Sequence, residues 1–363
     1  MKKTCNILNL LYNTFFLHKY PISLIHFVTQ RCNARCPYCF VDFKSEEEEL
    51  SLEEIEKIAM SSGKTLRNVA LTGGEPFIRE DLTEIANIWY TNSTIKTISV
   101  TTNGSMPDRI EKFAANAVKK DIPVFFFFSY DFIEEQYSAY RKIKDLHLKV
   151  LESYKIIKSF GNKLHGNFQI TINPDTYDSA IDTYQFIRDK LKIENVNIPL
   201  LRGDKEKLLT RDTRIKLANV YEKLHITRTN DFNKNILKGY KDKALTSLLL
   251  DAKNKILWKT VLKIFREQKF VLPCLSGTLL GIIYHNGDVA PCEVLKDKIA
   301  NLREYDFNFM NLWNSTETKK IRNKIKASKC YCTSECSLLV SILASHKYWG
   351  NLFFEVINNW IKS

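Results

Sequence analysis

The sequence lacks the marks of a membrane-spanning or exported protein. No apolar run reaches the roughly 20 residues that a membrane-spanning helix requires. The first apolar stretch, residues 7–17, is interrupted by Asn9 and Asn13, and no small-residue cleavage site follows it. Internal repeats are absent as well. We therefore expect a cytoplasmic protein without a membrane span.

The chain contains nine cysteines, yet their distribution excludes a disulfide framework. Three lie at residues 32–39, five lie at residues 274–336, and Cys5 stands alone. Thiols grouped in this way in a chain of this size indicate a reducing compartment and metal ligation. Cys5 has no other cysteine at a useful spacing, so we expect it to be inert.

Size and charge allow several classes of protein. A chain of 363 residues with 44% hydrophobic content can form one large α/β domain and an appended module. The net charge is +13, and residues 190–269 supply most of it, with 20 Lys or Arg against 9 Asp or Glu. Such a stretch could meet an acidic peptide, a nucleic acid or an anionic membrane, although a solvated helical face is the simpler explanation.

Strand-like and helix-like segments alternate along the first two hundred residues, which indicates βα units around a parallel sheet. The run from Val124 to Phe128 is apolar at every position and predicts a strand buried on both faces. Ser51 and Glu54 form the pattern of a capping box at the start of a helix. We predict six strands, at residues 22–28, 68–71, 97–101, 122–130, 168–172 and 196–200.

The second part of the chain changes in texture twice. A lysine-rich stretch with a helical pattern ends at Pro273. Beyond it, an Asn286-Gly287 turn between two apolar runs predicts a β-hairpin, and a helical segment follows. The end of the chain is amphipathic, and docking onto a core explains this better than membrane contact. We divide the chain into residues 1–203, 204–270, 271–340 and 341–363.

The early cysteines follow the first predicted strand with the spacing C-x3-C-x2-C, at Cys32, Cys36 and Cys39. A [4Fe–4S] cube normally takes four thiolates, so a local set of three leaves one iron for a ligand that is not protein. Tyr38 places an aromatic ring before the last cysteine. A zinc loop or a structural cluster is the alternative, although zinc sites prefer C-x-x-C pairs and a closed set of four ligands.

A second motif, at residues 69–76, is a short apolar strand that breaks into Gly73, Gly74, Glu75 and Pro76. Glycines allow a close backbone approach, and the carboxylate of Glu75 can accept a hydrogen bond from an ammonium group. With the cysteine loop, this GGEP motif resembles the radical S-adenosylmethionine (SAM) superfamily. The resemblance implies that the amino and carboxylate groups of SAM occupy the open iron and that the GGEP motif holds the amino group.

The same resemblance implies a fold. A complete βα-barrel has eight strands, and the six predicted here match the open partial barrel of the radical SAM fold. We therefore expect an α/β protein with a partial (β/α)6 TIM-like barrel, a helical insertion over residues 204–270, and a small cysteine-rich hairpin-helix module near the carboxy terminus.

Polar residues recur at the predicted strand ends, where such barrels place function. The resemblance implies that Thr102 and Asn103 form a turn beside SAM, that Ser129 lies near the ribose, and that Arg141 binds the SAM carboxylate through its guanidinium fork. Asn173 could contact ribose or carboxylate, and each residue alone would be an ordinary turn or cap. We assign no catalytic residue beyond the cluster, and the candidate SAM-binding residues are Tyr38, Gly73, Gly74, Glu75, Pro76, Thr102, Asn103, Ser129, Arg141 and Asn173.

The late cysteines resemble the carboxy-terminal modules called SPASM and twitch, which hold auxiliary iron–sulfur clusters. Cys274 and Cys292 flank Gly287 at a matching spacing. A full SPASM module has seven cysteines and two clusters, whereas this chain has five. We expect one auxiliary [4Fe–4S] cluster bound by Cys274, Cys292 and two of the final three, and a structural zinc site is the alternative. The final three are Cys330, Cys332 and Cys336.

The resemblance also implies an activity. The reduced cluster on the three early cysteines would donate an electron into SAM, and the resulting 5′-deoxyadenosyl radical would abstract hydrogen from a substrate. A flavodoxin or a ferredoxin-type protein would supply the electron. The expected substrate is a peptide or protein side chain, and the basic stretch at residues 190–269 suits an acidic one. The protein would then be an oxidoreductase or modification enzyme.

Two alternatives remain open at this point. Few residues precede the first strand, too few for the small winged-helix domain of many peptide maturases, so a small-molecule, sugar or lipid-linked substrate is the alternative. A non-catalytic iron–sulfur sensor or nucleic-acid binder is more distant, because it would not need Gly73, Gly74, Glu75 or Arg141. We therefore expect no nucleic-acid partner. No cobalamin-binding domain is visible, and the late cysteines favour an auxiliary-cluster enzyme over a radical methylase.

Overall fold

The structure of the protein is a computed structural model that describes residues 6–39, 41, 47–237, 244–295 and 297–362, except for the side chains of residues 244–251 and 358–362. Cys5 lies outside these residues. The strands are β1 (Ser23–Thr29), β2 (Asn68–Gly73), β3 (Thr97–Thr102), β4 (Val124–Ser129), β5 (Leu164–Gln169), β6 (Val196–Asn197), β7 (Leu280–Ile283), β8 (Asp288–Ala290) and β9 (Ala300–Asn301).

The described residues form α-helices between and after these strands. They are α1 (Ile7–Tyr12), α2 (Leu52–Met60), α3 (Leu82–Asn92), α4 (Pro107–Lys119), α5 (Glu134–Arg141), α6 (Leu146–Ser159), α7 (Ala180–Asp189), α8 (Asp204–Lys207), α9 (Arg211–Asn233), α10 (Ala244–Glu267), α11 (Phe309–Trp313), α12 (Thr316–Ala327), α13 (Glu335–Ala344) and α14 (His346–Lys362). Helices and parallel strands alternate as far as β6, which confirms the expected α/β fold, and α9 and α10 supply the helical insertion.

The chain forms two compact units, each assembled from separate stretches of sequence. The first unit contains Met1–Ser129, Glu134–Gly166 and Leu275–Ala327. The second contains Tyr130–Ile133, Asn167–Cys274 and Ser328–Ser363. This grouping differs from the four consecutive segments expected from the sequence, and that division stays a prediction.

In the first unit, seven strands lie in the order β4-β3-β2-β1-β7-β8-β9. Strands β1 to β4 are parallel, and β7 adds a further parallel strand on the other edge of β1, with Ser23 opposite Leu280. The hairpin expected around Asn286 is confirmed, because β8 pairs antiparallel with β7. Its first strand therefore belongs to the same sheet that carries the cysteine loop.

The helices of the first unit bury the apolar faces that their periodicity predicts. Ile55, Trp89 and Phe113 are almost fully buried on α2, α3 and α4. The capping box of α2 is confirmed, since Ser51 and Glu54 exchange backbone and side-chain hydrogen bonds. Burial of these apolar side chains is the main source of stability that holds the helices on the sheet.

Two strand predictions need correction. The run from Val124 to Phe128 is buried at alternate positions only, because α4 covers one face through Phe113, whose ring meets that of Phe126 at 5.9 Å. The fifth strand begins at Leu164 rather than at 168. Gly166 in that strand lets the Tyr154 ring pack closely. Because this glycine lies among polar residues, the sequence lacks the alternating apolar pattern that would predict a strand there.

The second unit contains α7, α9, α10, α13 and α14 beside the short strand β6. Phe168 pairs with Val196, and an isolated parallel bridge joins Ile172 to Leu200. The sixth strand is thus two residues long and shorter than expected, and the pairing beyond it is an isolated bridge. No helix among the described residues is both long and apolar enough to span a membrane.

We expect Gly281→Ala to destabilise the protein by about 1–3 kcal/mol, because a methyl group in β7 would overpack the core. The added Cβ would lie 2.7 Å from the Trp313 ring and 3.1 Å from Leu24. Gly350→Ala on α14 is the matched control, since nothing lies within 4 Å of its added Cβ. Urea unfolding followed by circular dichroism measures both variants. Equal midpoints for the two would contradict the packing described here.

Candidate functional site

The cysteine loop and the GGEP motif are joined through their backbones. The loop leaves the end of β1, and the motif leaves the end of β2, the neighbouring parallel strand. The N–H of Gly74 donates to the carbonyl of Thr29 at 2.9 Å, and the N–H of Glu75 donates to the carbonyl of Arg31 at 2.9 Å. These two hydrogen bonds fix the first residues of the cysteine loop on the GGEP motif.

The two glycines are required by this contact. A Cβ at Gly73 would lie 2.1 Å from the carbonyl oxygen of Thr29, and one at Gly74 would lie 2.2 Å from that of Arg31. Gly73 also has a φ of 140°, a backbone conformation that residues with a side chain rarely adopt. The sequence suggested that the glycines admit a ligand, whereas the structure shows that they admit the backbone of the cysteine loop.

Glu75 connects the ends of β2 and β3. Its buried carboxylate accepts hydrogen bonds from Thr102 Oγ1 at 2.7 Å, from the Asn103 N–H at 2.7 Å and from the Phe77 N–H at 3.2 Å. Burial raises the pKa of Glu75 to about 7, although these hydrogen bonds and the charge of Arg141 act in the opposite direction. The side chain is therefore held in one place by protein donors.

An amide network continues from Asn103 into the cysteine loop. Asn103 Nδ2 donates to Asn33 Oδ1 at 2.9 Å, and Asn33 Nδ2 donates to Ser105 Oγ at 2.8 Å. The Ser105 N–H donates back to Asn103 Oδ1 at 2.9 Å. Sequence reasoning missed Asn33, for which the only signal is a polar residue directly after Cys32. The network fixes the loop between its first two cysteines.

The three early thiols lie on this loop and are half-buried. The Cys39 N–H donates to the Cys36 carbonyl at 3.1 Å, which makes a tight turn, and the Ala34 N–H donates to Cys32 Sγ at 3.4 Å. Burial raises the pKa of Cys32 to about 11, with further contributions from the charges of Glu75, Cys36 and Cys39. The free thiol is therefore protonated at neutral pH, and binding a metal would release that proton.

The three early cysteines match a cluster in the kind and number of their donors. Each iron of a [4Fe–4S] cube takes one thiolate, and Cys32, Cys36 and Cys39 offer three thiols on one loop. Within the described part of the chain, no group of three or more His, Cys, Asp or Glu side chains is arranged to hold one ion.

Arg141 and Tyr38 lie beside the cysteine loop. The buried guanidinium of Arg141 donates from Nη2 to the Tyr38 hydroxyl at 2.6 Å, and the Arg35 N–H donates to the Arg141 carbonyl at 3.1 Å. Tyr140 stacks on Tyr38 with ring centroids 5.9 Å apart. The structure thus brings together two of the residues that the sequence singled out separately.

Tyr137 is a site residue that the sequence analysis missed. Its ring is fully buried, its hydroxyl donates to the carbonyl of Ser129, and it lies 3.3 Å from the carbonyl of Asn103. The guanidinium carbon of Arg141 lies 5.5 Å from the centre of the ring. Tyr137 therefore holds the ends of β3 and β4 and one side of Arg141. The only sequence signal is its position four residues before Arg141.

Arg79 is another buried residue without a sequence signal. Its guanidinium donates to the Val28 carbonyl at 2.9 Å and to Asp81 at 2.7 Å. Glu49 lies 4.0 Å away and also pairs with Arg31 at 3.0 Å, and its carboxylate accepts from the Thr29 hydroxyl. These contacts hold the end of β1.

The remaining candidates have structural partners. Pro76 is buried and begins a 3-10 helix, Pro76–Ile78, with Glu75 as its N-cap. Asn173 lies in the second unit and is fully buried, where its Oδ1 accepts from the Asp175 N–H at 2.8 Å and its Nδ2 donates to the Thr171 carbonyl at 3.3 Å. Its side chain forms a turn, and a SAM contact for Asn173 stays a prediction.

The late cysteines are distributed over both units. Cys292 is buried in the first unit and accepts a hydrogen bond from the Leu295 N–H at 3.3 Å. Cys274, Cys330, Cys332 and Cys336 belong to the second unit. Burial raises the pKa of Cys330, and the nearby charge of Cys274 adds to this effect. The choice of four ligands among the five stays a prediction.

Family models match two separate parts of the chain. Residues 27–187 match the radical SAM superfamily, and residues 274–337 match SPASM, an iron–sulfur cluster-binding domain. The first range contains the cysteine loop, the GGEP motif and Arg141, and the second contains all five late cysteines. Together the two domains imply SAM binding, a [4Fe–4S] cluster and an auxiliary cluster.

Curated relatives match the amino-terminal part of the chain. The GTP 3′,8-cyclase of Desulforamulus reducens is 38% identical over 100 residues, which is 25% of this chain and 31% of the relative. The chain therefore spans less than a third of the length of that relative.

Solved structures match almost the whole chain in fold. Native anSMEcpe with bound AdoMet and Cp18Cys peptide has a TM-score of 0.58 at 18% identity. The superposition covers 94% of this chain and 97% of the anSMEcpe chain. Streptococcus suis SuiB bound to precursor peptide SuiA has a TM-score of 0.54 at 14% identity, covering 84% and 67% of the two chains. At these identities the likeness concerns the fold alone.

We expect Gly74→Ala to abolish stable iron binding while leaving the protein folded. The added methyl group would push the Arg31 carbonyl away and break the contact that fixes the cysteine loop. Anaerobic reconstitution followed by iron and protein assays measures the loss, and far-ultraviolet circular dichroism checks the fold. Gly350→Ala is the control, and it should retain the iron content of the wild type. Wild-type iron content in Gly74→Ala would contradict this role of the glycine.

Proposed function

We propose that this protein reductively cleaves SAM and uses the product to abstract hydrogen from a substrate. The reason is that the chain belongs to the radical SAM superfamily and carries a SPASM domain. The observation that supports this most directly is the joint between the two motifs. The GGEP motif holds the base of the cysteine loop through the hydrogen bonds of Gly74 and Glu75. One rigid element would thus position both the cluster and the SAM molecule.

In this proposal Cys32, Cys36 and Cys39 hold the cluster, which leaves one iron for SAM. When bound, the cluster and SAM supply a one-electron cleavage of the sulfonium C–S bond, with methionine and a 5′-deoxyadenosyl radical as products. The electron comes from a flavodoxin or ferredoxin-type protein. Cys274, Cys292 and two of the final three cysteines would hold the auxiliary cluster.

The other residues of the site bind and orient SAM. The Arg141 guanidinium would bind the SAM carboxylate as a fork, and its hydrogen bond to Tyr38 holds it beside the cysteine loop. The carboxylate of Glu75 would attract the positively charged amino group of SAM. Its hydrogen bonds keep Thr102 and Asn103 in position. Ser129 would lie near the ribose. The burial of Glu75 and Arg141 excludes water around these charges, which strengthens each interaction.

We expect Cys36→Ala to remove SAM cleavage. The rate of cleavage should fall by more than the roughly 100-fold that is typical when a residue hydrogen-bonded to a metal ligand is replaced, because Cys36 is itself a cluster ligand in this proposal. Anaerobically reconstituted protein is mixed with dithionite and SAM, and 5′-deoxyadenosine is measured by liquid chromatography. Cys5→Ala is the matched control and should cleave SAM like the wild type. Cleavage at the wild-type rate by Cys36→Ala would remove the cluster assignment.

For the substrate, the comparisons favour a small molecule over the peptide that the sequence analysis placed first. A curated relative named GTP 3′,8-cyclase, that of Desulforamulus reducens, is 38% identical over 25% of this chain. The structures with bound peptides share the fold at 18% and 14% identity. We therefore propose a small-molecule substrate, with a peptide or protein side chain as the second candidate. The cytoplasm stays the proposed location.

A substrate panel separates the two classes. We expect a small molecule to accelerate release of 5′-deoxyadenosine, since productive substrate binding excludes water and commits SAM to cleavage. The panel contains the nucleoside triphosphates, including GTP, and an acidic peptide library, each assayed with the reduced wild type and with Cys36→Ala. Hydrogen abstraction is detected as transfer of deuterium from the labelled compound to 5′-deoxyadenosine. Transfer from peptides alone would reverse the order of the two candidates.

A further inference from the structure

The helical segment before β1 buries polar residues and exposes hydrophobic ones. It consists of α1 and a π-helical turn, Asn13–Leu17, and belongs to the first unit. Asn13 and Thr14 are its buried residues, whereas six large hydrophobic side chains are exposed. We call these six the hydrophobic face: Ile7, Leu8, Leu11, Tyr12, Phe16 and Leu17. A helix that packs only on its own protein turns such side chains inward.

The buried asparagine fixes this orientation. Asn13 Nδ2 donates to the Tyr20 carbonyl at 2.8 Å, and Asn13 Oδ1 accepts from the N–H groups of Lys19 at 3.1 Å and of Tyr20 at 2.9 Å. The His18 N–H donates to the Asn13 carbonyl at 2.8 Å, which closes the last turn. These hydrogen bonds hold the polar side of the segment on the residues that lead into β1, so the hydrophobic face is directed to solvent.

The hydrophobic face is large for a segment of this length. Leu8 is 75% exposed, and Ile7 and Phe16 are 65% and 64% exposed. The rings of Tyr12 and Phe16 lie 6.1 Å apart, so the face continues from α1 across the π-helical turn. Each aromatic side chain alone carries roughly 150–250 Å² of surface, and the four aliphatic ones add to this. A continuous hydrophobic surface of several hundred Å² on a soluble protein marks an interaction site.

The charge around this face has one sign. Residues 1–41 contain five Lys or Arg and no Asp or Glu, and the first acidic residue is Asp42. Lys2 and Lys3 precede the segment in the sequence, and the exposed Lys19 follows it, with its Nζ 5.4 Å from the centre of the Tyr20 ring. Helices that lie on anionic membranes combine hydrophobic side chains with lysines in this way.

We propose that α1 and the π-helical turn form a peripheral anchor that lies in the plane of an anionic lipid surface. The aliphatic side chains enter the acyl-chain boundary, Tyr12 keeps its hydroxyl at the headgroups, and the lysines attract the lipid phosphates. A lipid surface accepts projecting side chains without a matching groove, which a protein partner would have to supply. A second copy of this segment has no acidic residue to offer the lysines. The anchor goes beyond the proposed function and does not depend on SAM cleavage.

The test uses the reconstituted full-length protein without SAM or reductant, so a failure of SAM cleavage would not affect it. Vesicles of phosphatidylcholine alone are compared with vesicles of equal parts phosphatidylcholine and phosphatidylglycerol, and binding is measured by flotation. We expect the wild type to bind the mixed vesicles about tenfold or more tightly than the neutral ones, because lysines near the surface are attracted by anionic lipids. Added salt should reduce this preference through screening.

Leu8→Gln should weaken binding to both kinds of vesicle about tenfold, because the most exposed side chain of the hydrophobic face no longer gains from leaving water. Leu148→Gln is the matched control, since Leu148 is a leucine of the same unit that is 57% exposed on α6. It should bind like the wild type. Circular dichroism confirms that both variants are folded.

Lys19→Gln separates the contribution of charge from that of hydrophobic burial. It should weaken binding to the mixed vesicles about fivefold and leave binding to neutral vesicles unchanged. Absence of binding to the mixed vesicles, or equal losses in Leu8→Gln and Leu148→Gln, would refute the anchor. Sedimentation velocity without lipid provides the last check. Self-association of the wild type that Leu8→Gln removes would assign the hydrophobic face to a second copy of the chain and overturn the proposal.

Discussion

The candidate site depends on one backbone contact, the pair of hydrogen bonds by which Gly74 and Glu75 hold the carbonyls of Thr29 and Arg31. This contact is possible only because β1 and β2 are parallel neighbours whose carboxyl ends lie at the same edge of the sheet. It brings the GGEP motif against the first residues of the cysteine loop. Side chains at Gly73 or Gly74 would overlap those carbonyls.

The charges of the site are organised around that contact. Glu75 uses its carboxylate to join the ends of β2 and β3, and Tyr137 joins the ends of β3 and β4. Arg141 is held by Tyr38 from within the cysteine loop. A buried carboxylate and a buried guanidinium are costly to keep without partners, so these hydrogen bonds hold both side chains at the place where we propose that SAM binds.

The sequence by itself determined the α/β class, the first four strands, the capping box at Ser51 and the cysteine and GGEP motifs, because periodicity and spacing are local properties of the chain. Only the tertiary structure decided that β7 joins the sheet beside β1, and that Asn33, Arg79 and Tyr137 belong to the site. It also decided what the glycines of the GGEP motif contact. These features arise between residues far apart in sequence, and no local pattern records which carbonyl or carboxylate a side chain will meet.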